Sequence, residues 1–266
     1  MPATTTACCA DVMGHFFMDD IREASWAAIV YVCALQVVAS VAFLWKPGLL
    51  AVAVSWTLCI GAGIFAWARQ RPVDLGLSQR GILLGIGYGL TWWVLTQAVL
   101  LALAFVLGLP LQWPVLTGNI GELIDQLLIF ALSEEIVSRG FVMAQLYRKL
   151  QRTCGNTTIS LTAAILLSQI LFALVHLPHR MVEHVPAAEL MTNLALTGAS
   201  GVLFCLLYLR TGNLLVALAV HAVSNVPSLF SGPFSWHAKN LVLVLTAFLL
   251  AEAYARRFRN TRSVGA

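Results

Sequence analysis

The residues best suited to chemistry are ionisable side chains inside apolar stretches of the sequence. Glu134 and Glu135 are adjacent, and Arg139 follows Glu135 by four residues. On a helix, residues four apart share a face, so Arg139 can pair with Glu135. Glu134 points about 100° away, because a helix has ~3.6 residues per turn. One carboxylate can then be held by the arginine while the other stays free for chemistry. The simpler alternative is a buried ion pair that locks two helices together.

Two further motifs supply imidazole and amide groups. Phe172 precedes His176 by four residues, and His221 precedes Asn225 by four, so each pair lies on one helix face. Taken alone, His176 is typical of a helix end near the membrane interface, and His221 with Asn225 of a hydrogen-bonded pair between helices. One cavity containing a free carboxylate, two imidazoles and an amide would be a hydrolytic site. The carboxylate would take a proton from water, and the other groups would stabilise an oxyanion.

Composition indicates that a lipid bilayer surrounds these motifs. Of the 266 residues, 59% are hydrophobic and 11% are charged, and the mean hydropathy is +0.84. Soluble domains are about a quarter charged, so we exclude a soluble enzyme, a disordered protein and a nucleic-acid binder. Ionisable groups at membrane depth are costly and face the bundle interior or a wet cavity. The three motifs are therefore expected to converge.

The apolar runs predict an all-α fold, a polytopic transmembrane helix bundle of about eight spans, because a span needs about 20 residues. The expected organisation is a cytoplasmic N-terminal segment (1–25), a transmembrane domain (26–255) whose motif-bearing core covers about 120–230, and a basic cytoplasmic tail (256–266). Eight spans put 12 Lys and Arg on one side and 3 on the other, so both termini are predicted to be cytoplasmic. The predicted spans lie near 26–45, 48–68, 82–109, 121–145, 158–177, 191–209, 213–231 and 239–255.

The ordered set of motifs resembles the CPBP family, the CAAX prenyl-protease and bacteriocin-processing intramembrane proteases that are also called the Abi family. The matching segments are 134–140, 172–176 and 221–225. The resemblance implies an intramembrane endopeptidase in which Glu134 polarises a water that His176 also holds. It further implies that His221 and Asn225 bind the oxyanion, while the supporting residues shape the site: Glu135, Arg139 and Phe172. One departure is that Ile136, Val137 and Ser138 replace the apolar, often aromatic residues usual between the acidic pair and the arginine.

The expected partners follow from the same resemblance. The family has been described both as metal-dependent and as glutamate-dependent. Because the sequence has no HExxH, we predict no cofactor and a metal-free glutamic mechanism, with a divalent metal at the Glu/His cluster as the alternative. The substrate is expected to be a membrane-associated polypeptide: a CAAX tail, a bacteriocin leader or a C-terminal sorting signal. We expect a multi-pass protein of a bacterial inner membrane. The sequence does not indicate its oligomeric state. The rival interpretations are a transporter, a non-catalytic scaffold and a pseudo-protease.

Three other patterns suggest sites less strongly. Residues 198–201 (Gly-Ala-Ser-Gly) are similar to the serine loop of rhomboid proteases, but there the HxxxN motif precedes the serine, so helix packing through small residues is predicted. His179, Glu183 and His184 could join His176 in a metal cluster, and a solvated loop is predicted instead. Asn156 begins a formal glycosylation sequon that the charge distribution places on the cytoplasmic side.

Overall fold

The computed structural model describes residue 18 and residues 21–44, 54–77, 79–108, 116–182, 184–225 and 243–253. In this part of the chain every long element is a helix and no strand occurs, so the predicted all-α fold is confirmed. The helices are α1 (Trp26–Leu44), α2 (Val54–Trp67), α3 (Gln79–Val106), α4 (residues 116–154), α5 (Thr157–Val175), α6 (Leu177–Val182), α7 (Ala187–Thr211), α8 (Leu214–Asn225) and α9 (Leu243–Ala253).

Among the described residues, three helical segments are long and apolar enough to cross a bilayer: Gly81–Val106, Thr157–Val182 and Ala187–Thr211. Shorter apolar helices lie at Trp26–Val41, Val54–Trp67, Leu214–Asn225 and Leu243–Ala253. The positions of these helices follow the predicted runs, and the count of eight spans stays a prediction. Parts of the last two predicted spans (226–242 and beyond 253), the basic tail and most of the N-terminal segment lie outside the described residues.

Two helix turns are formed by glycines with left-handed backbone. Gly212 (φ 62°) ends α7, and α8 begins two residues later. The side chain of Asn213 secures this turn, because its Nδ2 donates to the carbonyl of Gly81 in α3 (2.8 Å) and its Oδ1 accepts from the amide of Leu215 (3.0 Å). Gly155 (φ 65°) likewise ends α4. The Gly212 turn fixes α8, which carries the third motif, against α3.

Helix α3 approaches α8 through small residues. A Cβ placed on Gly85 would collide with Leu215, and one placed on Gly89 would lie 2.9 Å from the Cβ of Ala219. The two glycines are four residues apart, so one side of α3 lets the backbones come close, as in membrane helix pairs with small-xxx-small patterns. The structure uses Gly85 and Gly89 for close packing within one continuous helix.

Part of the N-terminal segment docks onto the end of α4. The carboxylate of Glu23 lies 2.5 Å from Lys149 Nζ and 2.7 Å from Arg152 Nη1. The amide of Ala24 donates to Gln145 Oε1 (2.7 Å), and Gln145 Nε2 donates to the carbonyl of Arg22 (2.9 Å). The hydrogen bond from Lys149 is the main cause that lowers the pKa of Glu23 below its ordinary value. The basic end of α4 is therefore fastened to the start of α1.

Candidate active site

Helix α4 separates the two adjacent glutamates as their spacing predicted. Glu135 is fully buried, and its Oε1 lies 3.0 Å from Nη1 of Arg139, which is also fully buried. The side chain of Glu134 keeps 19% of its surface exposed and faces a cavity. The carboxylates lie where wider helical turns (Gln126–Phe130 and Ile136–Met143) flank a single regular turn. Such wide turns occur often at functional sites.

Arg139 has partners that sequence reasoning missed. Its Nη2 donates to Gln169 Oε1 on α5 (3.0 Å), and its Cζ lies 4.1 Å from the ring centre of Phe172 and 5.4 Å from that of Phe204. Cations favour the faces of aromatic rings. Gln169 is a polar residue within an apolar span, and that was the only signal by which it could have been found.

Gly201 on α7 leaves room for the arginine site, which consists of Arg139 and its contacts with Glu135, Gln169 and Phe172. A Cβ at this position would collide with Gln169 Oε1 and would lie 2.9 Å from Arg139 Nη2. Small-residue packing, as predicted for 198–201, thus has a specific purpose at Gly201. Ser200 beside it lines the cavity.

The buried ion pair is not fully satisfied. Within the described residues, Glu135 Oε2 and Arg139 Nε are buried without a hydrogen-bond partner. Buried charges with missing partners cost free energy, and a well-packed apolar pair is often more stable. The pair is therefore poorly explained as a device for stability alone, which favours a role in positioning its neighbours.

His221 is the neighbour that this pair positions. Its Nδ1 lies 2.7 Å from Glu135 Oε1. A carboxylate paired with an arginine only accepts hydrogen bonds, so Nδ1 carries a proton. The imidazole also stacks on Phe204, with ring centres 4.8 Å apart and planes 19° apart. The ring is thereby held with Nε2 towards Glu134, whose Oε2 lies 3.6 Å away.

His176 is held by similar means at the end of α5. Its Nδ1 lies 2.8 Å from the backbone carbonyl of Phe172, which is an acceptor, so Nδ1 again carries the proton. The ring of Phe172 meets the imidazole edge-on at 4.7 Å. His176 Nε2 lies 3.9 Å from Glu134 Oε1. Both imidazoles thus turn Nε2 towards one carboxylate, at separations that a bridging water can span.

Asn225 lies at the last residue of α8 and is exposed. One N–H of its side chain donates to Gln126 Oε1 on α4 (3.0 Å). An amide nitrogen has two hydrogens, so the second is available to a ligand. Asn225 lines the same cavity as Glu134, His176 and His221. The structure therefore brings the four predicted catalytic residues to one place, and their roles stay predictions.

The cavity has a volume of about 850 Å³ and is bounded by α1, α2, α4, α5, α6, α7, α8 and α9. Its apolar wall includes Ala39, Trp56, Phe130 and Val244. The predicted solvated loop after the fifth span is wrong for His179, because residues 177–182 form helix α6 and place His179 and Arg180 in the cavity wall. His184 is exposed as predicted, and Glu183 lies outside the described residues.

A tetrahedral zinc ion would need these ligand atoms to lie closer together. Ligand atoms around tetrahedral zinc lie about 3.3 Å apart, given bonds of ~2.0–2.1 Å. The Nε2 atoms of His176 and His221 lie 3.9 and 3.6 Å from Glu134 oxygens. Among the described residues, no group of three or more His, Cys, Asp or Glu side chains is placed to hold a metal. The described geometry does not fit a metal, and the metal-free mechanism stays a prediction.

Two residues noted in the sequence have structural roles. Ser138, which departs from the family pattern, is buried beside α1, where Gln36 Nε2 donates to its Oγ at 3.5 Å. The side chain of Asn156 accepts a hydrogen bond from the amide of Ile159 (3.0 Å) and caps the start of α5. Substitution at either position is expected to act through helix packing or capping.

Comparison with known proteins identifies the core of the chain. Residues 117–227 match the family described as Rce1-like, type II CAAX prenyl endopeptidase. The match covers nearly the same range as the three sequence motifs, and it confirms the resemblance to the CAAX proteases. No curated protein and no solved structure gives a significant match. Residues 117–227 are therefore similar to the Rce1-like type II CAAX prenyl endopeptidases.

Proposed function

We propose that this protein is a glutamic intramembrane endopeptidase that hydrolyses a peptide bond in a membrane-associated polypeptide. The convergence of two Nε2 atoms on the partly exposed carboxylate of Glu134 carries the proposal. A water at this point would bond to Glu134 and to His176 Nε2. Its oxygen would then face a peptide carbonyl bound in the cavity.

The reaction requires only proton transfers by the residues of the chain. The water oxygen attacks the carbonyl carbon while its proton passes to Glu134, and a tetrahedral oxyanion forms. The same proton then passes to the leaving amine as the C–N bond breaks, which regenerates the carboxylate. General-base catalysis of this kind typically contributes 10²–10⁴-fold in rate.

The oxyanion is stabilised by Asn225 and His221. Asn225 donates its second amide N–H. His221 can donate from Nε2 only as the imidazolium, because its Nδ1 proton is already given to Glu135. The negative charge of Glu135 supports that cation, and Arg139 keeps Glu135 in place. Glu135 and Arg139 are thus positioning residues for His221.

The substrate is a C-terminal sorting signal or a CAAX-like tail of a membrane-associated polypeptide. The protease itself lies in a bacterial inner membrane with both of its termini in the cytoplasm. The charge distribution of the loops supports this orientation. The position of His176 at the end of α5 supports access to the site from one membrane face. A sorting signal fits best if that face is the outer one. Cysteine-scanning accessibility around His176 decides this point, since labelling only from the cytoplasmic face would favour the CAAX-like tail.

The test is to map new peptide termini in the membrane proteome of the host after incubation with purified protein. Three forms are compared: wild type, Glu134→Gln and Glu122→Gln, the last altering an exposed carboxylate on the same helix. Termini made by wild type and Glu122→Gln, and absent with Glu134→Gln, are expected. Identical peptides from all three, with normal folding, would instead favour a scaffold or transporter that uses the buried Glu and His groups.

A further inference from the structure

Helix α7 presents a polar stripe to the cavity. Four cavity-lining residues follow one another at spacings of four, four and three along one face of this apolar helix: Glu189, Asn193, Thr197 and Ser200. The opposite face carries exposed apolar residues such as Met191 (70% exposed) and Leu206 (40%). Helix α7 is one of the three segments able to cross a bilayer. Its polar groups are therefore gathered on the side away from lipid.

Members of this stripe have polar groups that no described residue engages. Within the part of the chain that the structure describes, the side chains of Asn193 and Ser200 make no hydrogen bond, and both are half-buried. Thr197 Oγ1 bonds only to the carbonyl of Asn193 in its own helix (2.9 Å). Unsatisfied polar groups at membrane depth are costly. The stripe is thus suited to a ligand with both donors and acceptors.

The position of the stripe connects it to the proposed catalytic groups. One end lies beside Gly201, which contacts the Arg139 site, and close to Phe204, which stacks on His221. The other end, at Glu189, lies near the start of α7, and α6 contributes Arg180 to the same cavity. The eleven helical steps from Glu189 to Ser200 span about 16 Å at 1.5 Å per residue, the length of about five residues of extended chain.

We propose that the α7 stripe binds the main chain of an extended polypeptide segment of about five residues next to the scissile bond. This inference rests on the proposed endopeptidase function. Alternating N–H and C=O groups match the amide and hydroxyl side chains of Asn193, Thr197 and Ser200. A prenyl or acyl chain has no group to bond to them.

Recognition of the main chain defines the substrate class. A transmembrane helix already satisfies its own N–H and C=O groups, so it cannot bond to the stripe. The substrate is therefore an unwound segment at the end of a membrane helix, rich in helix-breaking residues. Its side chains contribute little to specificity. The cleaved sequence should vary more than its conformation.

The first test uses a degenerate decapeptide library and purified protein in lipid nanodiscs. For a cleaved peptide, Asn193→Leu should raise KM about five- to tenfold with kcat nearly unchanged, the loss of one hydrogen bond. Replacing one peptide bond beside the scissile bond with an ester should raise the wild-type KM similarly. For the Asn193→Leu variant, the ester that replaces the peptide bond facing residue 193 should raise KM no further. Met191→Leu, on the lipid face of α7, is the control and should behave as wild type.

A second measurement does not depend on activity. Benzoylphenylalanine is placed at position 193 or at position 191 in the Glu134→Gln background, and the peptide library is added before illumination. Peptide adducts at 193 and lipid adducts at 191 are expected. Lipid adducts at both positions would overturn the inference. So would an unchanged KM of Asn193→Leu, with the ester raising the KM of this variant as much as that of wild type. Either result would leave the protease function intact. Peptide adducts at 193 without cleavage by wild type would overturn the endopeptidase function and leave the stripe as a peptide-binding site only.

Discussion

The arginine site makes a sharp prediction for a glycine that carries no functional group. In Gly201→Ala, the new methyl group would collide with Gln169 Oε1 and lie 2.9 Å from Arg139 Nη2. The hydrogen bond between Arg139 and Gln169 would have to break or lengthen. Since Arg139 holds Glu135, and Glu135 holds His221, the disturbance should reach the reaction centre.

The magnitude follows from two opposing terms. A hydrogen bond to a charged group contributes about 1.5–3 kcal/mol, and replacing glycine by alanine in a helix gains about 1 kcal/mol. We therefore expect Gly201→Ala to lose about 0.5–2 kcal/mol in the free energy of unfolding. We also expect kcat to fall about tenfold or more with little change in KM, because substrate binding does not involve Arg139.

Gly198→Ala is the matched control, three residues earlier on the same helix. There the new methyl group would lie 3.7 Å from Ala173 Cβ and from the carbonyl of Gln169, an ordinary contact. Thermal unfolding in detergent and peptide-cleavage kinetics compare the two variants. Gly198→Ala should be as stable as wild type or more so, and fully active. If Gly201→Ala matched it in both assays, the positioning role of the Gln169–Arg139–Glu135 chain would be refuted.

Three further predictions follow from the structure. Arg139→Met should cost about 3–5 kcal/mol in thermal unfolding, because it leaves the buried Glu135 carboxylate unpaired; adding Glu135→Gln should restore stability without activity. Glu23→Gln should weaken hydrogen-exchange protection of the Ala24 amide. Docking lowers the pKa of Glu23. The difference in protection between variant and wild type should therefore be complete above the ordinary pKa of 4.5, and it should vanish as the pH falls through the lower pKa of the docked carboxyl. Chelators such as EDTA and phenanthroline should leave peptide cleavage unchanged, and restoration of lost activity by zinc would contradict the metal-free mechanism.

Much of the site could be predicted from the sequence because helix spacing is regular. The four-residue separation of Glu135 and Arg139 predicts their pairing, and the structure confirms it at 3.0 Å. The Gly212 turn could also be predicted, because a glycine after a long apolar run marks a helix end.

Contacts between helices could not be predicted, because they depend on packing that no local spacing encodes. The bond between His221 and Glu135 joins residues 86 positions apart. The fit of Gly201 to Gln169 depends on how α5 meets α7. The same limit explains the error at His179, where a polar stretch suggested a solvated loop but packing formed a helix at the cavity wall.

The central claim is that Glu134, and not the paired Glu135, activates water for peptide hydrolysis. The most direct test measures kcat of Glu134→Gln on a peptide that wild type cleaves, with thermal unfolding as the check on folding. The account predicts a fall in kcat of at least about 10²-fold, the contribution of a general base, with an unchanged unfolding midpoint and with Glu122→Gln fully active. A folded Glu134→Gln protein that retained its kcat would contradict the account.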